Sequence, residues 1–376
     1  MKRIFIFMIL LTLMLGHVSK VNAQGEAAVP FLLLAPDSRH AGLGESGTGL
    51  ADNSSAIFWN PAGIAFQTGS EVGITHANWL PQFNLDLSYD YVTYRQFIEA
   101  IDGSVTASLT YMNYGKFQRT GSNSPDVIGT FNSFDIGATI GYATKLADDW
   151  GVGFNFRFIY SNLSDKPTGE EQGTGIASTV SFDVATMWRP QGFLDGNFSF
   201  GANLSNIGPD ISYIDQAQAD PLPTNVRLGF AYRVFQDEYN SFTLTGDASK
   251  LLVNRKTGVL SGNEADSTEE TPSDVSNDFM KSIEFSGGAE YWYGIPEDFM
   301  FAVRAGYFYE DPDFGARNFM TFGAGIKYDI YGFDFSYIST VGSNSENHPL
   351  DGTLRFSLVI GWDAVAETKP GLPRGI

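Results

Sequence analysis

Trp150-Gly151-Val152-Gly153-Phe154-Asn155-Phe156-Arg157-Phe158-Ile159-Tyr160-Ser161-Asn162 reads as a β-strand with one apolar side. In an extended chain Trp150, Val152, Phe154, Phe156, Phe158 and Tyr160 share one face, and Gly151, Gly153, Asn155, Arg157 and Ser161 share the other. The same period of two recurs in fourteen segments, near 70–77, 85–95, 104–115, 132–145, 150–162, 176–188, 197–205, 225–235, 241–252, 282–293, 299–310, 318–328, 332–340 and 353–363. By these bounds the connections after odd-numbered segments are 7, 16, 13, 19, 29, 7 and 12 residues, and those after even-numbered segments are 8, 4, 8, 5, 5 and 3. Long loops therefore gather at one end and short turns at the other, as in outer-membrane barrels; a soluble β-sandwich has no reason to sort them so.

The pattern predicts an all-β fold, a fourteen-stranded antiparallel transmembrane β-barrel. A membrane satisfies backbone polar groups only in helices or closed sheets. The predicted lipid side is apolar in segment after segment: Phe134, Ile136, Ala138, Ile140, Tyr142; Met320, Phe322, Ala324, Ile326, Tyr328; Leu354, Phe356, Leu358, Ile360, Trp362. The opposite face, directed into the lumen, carries Asp135, Arg227, Arg233, Asp247, Glu284, Glu290, Arg304, Lys327, Asp334 and Arg355. Both signs of charge occur there, which fits a paired, solvated interior better than an ion-selective pore. Trp79, Trp150, Trp188 and Trp362 fall at segment ends, where an amphipathic ring suits the headgroup level, and are read as girdle residues. Trp292 shares the face of Glu284 and Glu290 and is read as inward.

Composition agrees: 31 Phe, 17 Tyr and 41 Gly accompany only 18% charged residues, which suits a twisted sheet with an aromatic surface. Residues 1–23 read as a secretory signal, with Lys2 and Arg3 before an apolar run from Ile4 to Gly16 and a small-residue site at Val21-Asn22-Ala23. Its removal takes away three basic residues and no acid, leaving 20 basic against 43 acidic. Such a surface excludes nucleic acid, whose phosphates need clustered Lys and Arg. The absence of cysteine excludes disulfides and thiol chemistry.

Residues 24–69 show no sustained period of two and are rich in Gly, Ala and Ser, with Pro30, Pro36 and Pro61. They are expected to form a compact N-terminal plug, followed by a barrel over 70–363 and a periplasmic tail over 364–376, with both termini periplasmic. Gly42-Leu43-Gly44-Glu45-Ser46-Gly47 matches the dinucleotide fingerprint, but no parallel sheet follows it, so tight backbone packing is the better account. His40, His76 and His348 are isolated, and Asp311 with Asp313 lacks the rest of a calcium loop. No catalytic, cofactor-binding or metal residue is assigned. The acidic loop 253–281 has little to bury and reads as a solvated arm.

Phe31-Leu32-Leu33-Leu34-Ala35-Pro36-Asp37-Ser38-Arg39-His40-Ala41-Gly42-Leu43-Gly44, followed by Ile57-Phe58-Trp59-Asn60-Pro61-Ala62, resembles the N-terminal region of the PorV (LptO) and PorQ family of the Bacteroidetes type IX secretion system. Trp79-Leu80-Pro81, His348-Pro349-Leu350 and Thr353-Leu354-Arg355-Phe356-Ser357-Leu358 extend the resemblance, while Asn60-Pro61-Ala62 is shared with FadL-like transporters more widely. Its implied motif positions are Asp37, Arg39, Gly42, Gly44, Trp59, Asn60, Pro61 and Ala62. The resemblance implies a FadL-like barrel without enzymatic activity or cofactor. It implies as partners a large outer-membrane translocon, secreted cargo carrying a C-terminal secretion domain, a PorU-type sortase complex, and membrane lipid and lipopolysaccharide. The alternative is a FadL-like transporter of hydrophobic small molecules.

Overall fold

A computed structural model of the 376-residue chain describes residues 27–121, 124–164, 174–214, 219–253, 279–295, 298–341 and 349–362. The stretch expected as a secretory signal, most of the acidic loop, His348 and the stretch expected as a C-terminal tail lie outside the described residues.

Fourteen strands form one closed antiparallel barrel in which each pairs with its sequence neighbours and β1 closes on β14. They are β1 (Ser70–Asn78), β2 (Ser88–Ile98), β3 (Gly103–Gly121), β4 (Ser124–Ala147), β5 (Trp150–Asn162), β6 (Ile176–Trp188) and β7 (Phe198–Ile207). The second half comprises β8 (Asn225–Gln236), β9 (Asn240–Leu251), β10 (Ile283–Gly294), β11 (Phe299–Tyr309), β12 (Asn318–Tyr328), β13 (Tyr331–Thr340) and β14 (Leu354–Trp362). Closure leaves no strand edge in the hydrocarbon. On β5 the rings of Phe154, Phe156 and Phe158 are exposed while Asn155, Arg157 and Ser161 are buried, as the alternation predicts.

The stretch expected as a loop over 116–131 is instead two strands. The β2–β3 ladder ends at Ser88↔Asn113 and the β4–β5 ladder at Phe134↔Asn162, yet β3 and β4 continue to pair with each other to Gly121 and Ser124. This two-stranded arm reaches roughly 20 Å past the rim at about 3.3 Å per residue. Its sequence hid it because a bulge between Asn113 and Gly115 breaks the alternation where the arm begins. Beyond the bulge Phe117 stacks on Phe131 at 5.7 Å.

The interior is occupied by the N-terminal segment, built from short helical turns at Pro30–Leu33, Ser38–Ala41, Ala56–Trp59 and Pro61–Phe66. The Ala28 amide donates to the Pro221 carbonyl in the β7–β8 connection, at the long-loop end. The segment's other end leads into β1 at the short-turn end, where the Arg95 side chain bonds to the Thr68 carbonyl. The chain thus descends the lumen lengthwise. The described residues begin at the long-loop end, whereas β1 begins at the short-turn end. The reason is that the segment must traverse the lumen before β1 begins.

Candidate functional site

The residues singled out from the sequence meet where the N-terminal segment packs against the barrel wall. Asp37 caps the turn Ser38–Ala41, with its carboxylate accepting from the His40 amide. The same carboxylate accepts from Trp59 Nε1 at 2.7 Å and contacts His40 Nδ1 at 2.8 Å. All three residues are almost wholly buried. Burial alone would raise the Asp37 carboxyl, but the His40 charge and hydrogen bonds, with the Trp59 indole, outweigh it and hold it down to about 2.

Arg39 points from this turn into a buried ion cluster. It bonds to Asp52 at 2.5 Å within the segment, and to Glu290 on β10 through two contacts of 2.8 Å. Glu290 also accepts from Arg304 on β11 at 2.7 Å, and Arg304 reaches Asp334 on β13 at 2.6 Å. Burial works against the Arg39 charge, and the Asp52 and Glu290 carboxylates more than restore it, raising its pKa well above the usual arginine value. The charges of this cluster are therefore paired, as the mixed signs suggest, and buried rather than open to solvent.

The glycines of the motif permit close approach. Gly44 adopts φ +72°, and a β-carbon there would stand 2.6 Å from the Gly287 carbonyl oxygen and the Tyr307 amide nitrogen. Its own amide donates to Thr321 Oγ1. A β-carbon on Gly42 would come within 3.1 Å of Gly323 Cα, and one on Gly47 would enter the Trp59 and His40 rings. A fingerprint that in another setting cradles phosphates here lets backbone lie on backbone.

Lower in the lumen, Asn60 caps the turn Pro61–Phe66 by accepting from the Ala62 amide, while its Nδ2 donates to the carbonyls of Thr48 and Thr186. Pro61 and Ala62 lie against Gly153 of β5, where a side chain would collide with them. Asp247 on β9 gathers the Gly47 and Thr48 amides and the Thr48 hydroxyl at 2.7 to 3.0 Å. The motif reading did not include Asp52, and it named Glu290, Arg304 and Asp247 only as inward-facing charges. Alternation finds the face of such residues, but pairing them with Arg39 or Thr48 requires the folded lumen.

Of the four expected girdle tryptophans, Trp150, Trp188 and Trp362 are 37 to 43% exposed and lie at the short-turn end. Trp79 is a correction. It is 8% exposed and sits beneath the Arg355 guanidinium, 5.4 Å away, because it continues the inward parity of Gly73, Thr75 and Ala77 on β1. Trp292 is inward as expected, with Arg304 5.2 Å above its ring.

Between the segment and the wall, Leu32, Leu33 and Phe58 together with Arg157, Asn203, Asn225 and Arg227 line a cavity of about 20 Å³, room for one water molecule. Arg227 Nη1 and the Oδ1 atoms of Asn203 and Asn225 are buried there without partners.

Comparison with known proteins completes the description. The solved structure of the P. putida toluene transporter TodX has a TM-score of 0.51 over 87% of this chain and 98% of that one, at 10% identity. The CymD monoaromatic hydrocarbon channel gives 0.48 over 87% and 97%, at 9% identity. A Pseudomonas aeruginosa FadL homologue gives 0.47 over 87% and 98%, at 12% identity. The likeness to TodX shows a shared barrel fold. No curated protein sequence matches. The family described as type IX secretion system protein PorV matches residues 19–257, well over half of the chain, and the chain belongs to that family of outer-membrane β-barrels.

Proposed function

We propose that this barrel serves type IX secretion as a carrier, binding secreted proteins through their C-terminal domains as they leave the translocon and delivering them to a surface attachment complex with a PorU-type sortase. The family match carries the reading. The filled lumen supports it: a segment joined to β7, β9, β10, β12 and β14 by buried hydrogen bonds leaves no ready path for a solute. In this reading residues 1–23 are removed on export, 24–69 act as a fixed plug, 70–363 form the barrel and 364–376 hang as a tail. The short turns then face the periplasm, and the long connections and the β3–β4 arm face outward, where cargo is grasped. Trp150, Trp188 and Trp362 serve as the periplasmic girdle.

The alternative, transport of hydrophobic small molecules, requires the segment to release the cluster around Arg39 and Glu290. Deleting the gene and following secreted proteins separates the two. Loss of surface attachment for many of them is expected of the carrier, and a growth defect confined to long-chain fatty acids is expected of the transporter.

A further inference from the structure

Three polar atoms of the barrel wall face one another across the small cavity beside the N-terminal segment. Asn203 on β7 lies directly opposite Arg227 on β8, and Asn225 stands two residues along β8 on the same inward face. Side chains opposite each other in a ladder start about 5 Å apart, and those two residues apart on one strand about 7 Å, so one small molecule can reach all three. Arg227 Nη1, Asn203 Oδ1 and Asn225 Oδ1 are buried without a hydrogen-bond partner, and the two asparagines are 4% and 6% exposed.

The orientation of the Asn203 amide is fixed at its other end, where Nδ2 donates to the carbonyls of Phe58 and Trp59. The remaining polar neighbours are committed elsewhere. Arg157 donates to Thr139, Asp183 and Asn206, Asn206 Nδ2 donates to the Pro223 carbonyl, and the Ser205 hydroxyl donates to the Asn225 carbonyl. The facing side of the cavity is made by Leu32, Leu33 and Phe58, whose side chains carry neither donor nor acceptor.

The count of donors and acceptors selects the occupant. One N–H must find an acceptor, and two amide oxygens must each receive a proton. Water does both, accepting once and donating twice. An ammonium group has no lone pair for the arginine, a halide or carboxylate has no proton for the amides, and an alcohol has one proton for two oxygens. A cavity of about 20 Å³ also excludes anything larger than water.

We infer that one water molecule is bound here as a fixed part of the protein, accepting from Arg227 Nη1 and donating to Asn203 Oδ1 and Asn225 Oδ1. The site bears on the N-terminal segment through Trp59. Arg227 lies over the Trp59 ring at 4.9 Å, and the Trp59 indole donates to Asp37. The water gives Arg227 an acceptor in that pose, so the guanidinium need not leave the ring to find one. All three partners of the water belong to the wall, while Leu32, Leu33 and Phe58 close over it. The water therefore stays with the barrel and is released only when this part of the segment lifts. The site goes beyond the secretion reading and stands or falls apart from it.

A crystal structure of the purified barrel in detergent, at a resolution that shows ordered waters, tests the site, together with a second crystal soaked in sodium bromide. The expected result is one rounded density peak within hydrogen-bond distance of all three atoms and no anomalous bromide signal there. The inference is overturned by the absence of a peak, by a direct hydrogen bond from Arg227 to either asparagine, by a bromide signal, or by elongated density from a larger molecule. Asn225→Leu removes one acceptor and fills part of the cavity, and its crystal should lose the peak. A peak that persists in this variant also overturns the three-partner site. The native crystal is read first, so the outcome does not depend on whether the variant folds.

Discussion

Arg39 and Glu290 are 251 residues apart in the chain and share two hydrogen bonds of 2.8 Å inside the barrel. This pair joins the N-terminal segment to β10, and through Arg304 and Asp334 it extends to β11 and β13. Removing one member of a buried ionic group leaves the others without compensation, which costs about 3 to 5 kcal/mol. Glu290→Ala should therefore lower the midpoint of unfolding in urea by that order. Arg39→Ala combined with Glu290→Ala should cost less than the two single changes added together, since the pair is lost once. Strict additivity in the double-mutant cycle would mean that the two side chains do not act on each other.

Asp37 gives the segment a dependence on acid. Its folded carboxyl ionises at about 2, below the value near 3.9 of an unfolded chain. A depressed carboxyl stabilises the fold fully above the unfolded value, and that contribution is lost as pH falls through the folded one, here between about pH 4 and pH 2. The contribution is on the order of 2 to 3 kcal/mol. The stability gap between the native chain and Asp37→Asn should stay constant from pH 7 to about pH 5 and close by pH 2. A gap that persists undiminished at pH 2 would show that the Asp37 charge is not its source.

The barrel was legible in the sequence because lipid on one side and a packed lumen on the other impose a period of two that local residues state directly. Phe154 and Arg157 declare their faces without knowledge of any partner. The arm was not legible, since the bulge at Asn113 and Gly115 changes the parity where β3 leaves the wall. Trp79 was misplaced for a different reason: a tryptophan at a strand end suits a girdle, but its parity is that of the inward Thr75 and Ala77, which puts it under Arg355. Within the candidate site, Asp37 as a cap and Asn60 before Pro61 follow from local sequence, whereas the approach of Glu290 to Arg39 arises from closure and carries no local signal.

Gly44 should tolerate no side chain. Its φ of +72° disfavours any L residue, and the space a β-carbon would need is held by the backbone of β10 and β11 rather than by movable side chains. Gly44→Ala is expected to cost about 3 kcal/mol or more, combining conformational strain with overpacking. Gly129→Ala in the arm, where nothing lies within 4 Å, should change stability by no more than about 0.5 kcal/mol. Urea midpoints of the two variants in detergent would make the comparison, and an equal effect at both positions would contradict close packing at Gly44.

Asn60 and Pro61 hold the lower half of the segment. The Asn60 side chain satisfies the Ala62 amide and two carbonyls, one of them on the barrel strand β6, and Pro61 presets the first turn of Pro61–Phe66. Replacing both by alanine removes an N-terminal cap, worth about 1 kcal/mol, and takes the donor from the buried Thr48 carbonyl, at about 1 to 3 kcal/mol. The barrel ladder does not pass through either residue, so the variant should still assemble. The consequence is confined to residues 24–69, which should loosen within an intact barrel and become open to limited proteolysis. Cleavage in that stretch at a rate equal to that of the native chain would show that the cap does not anchor the segment.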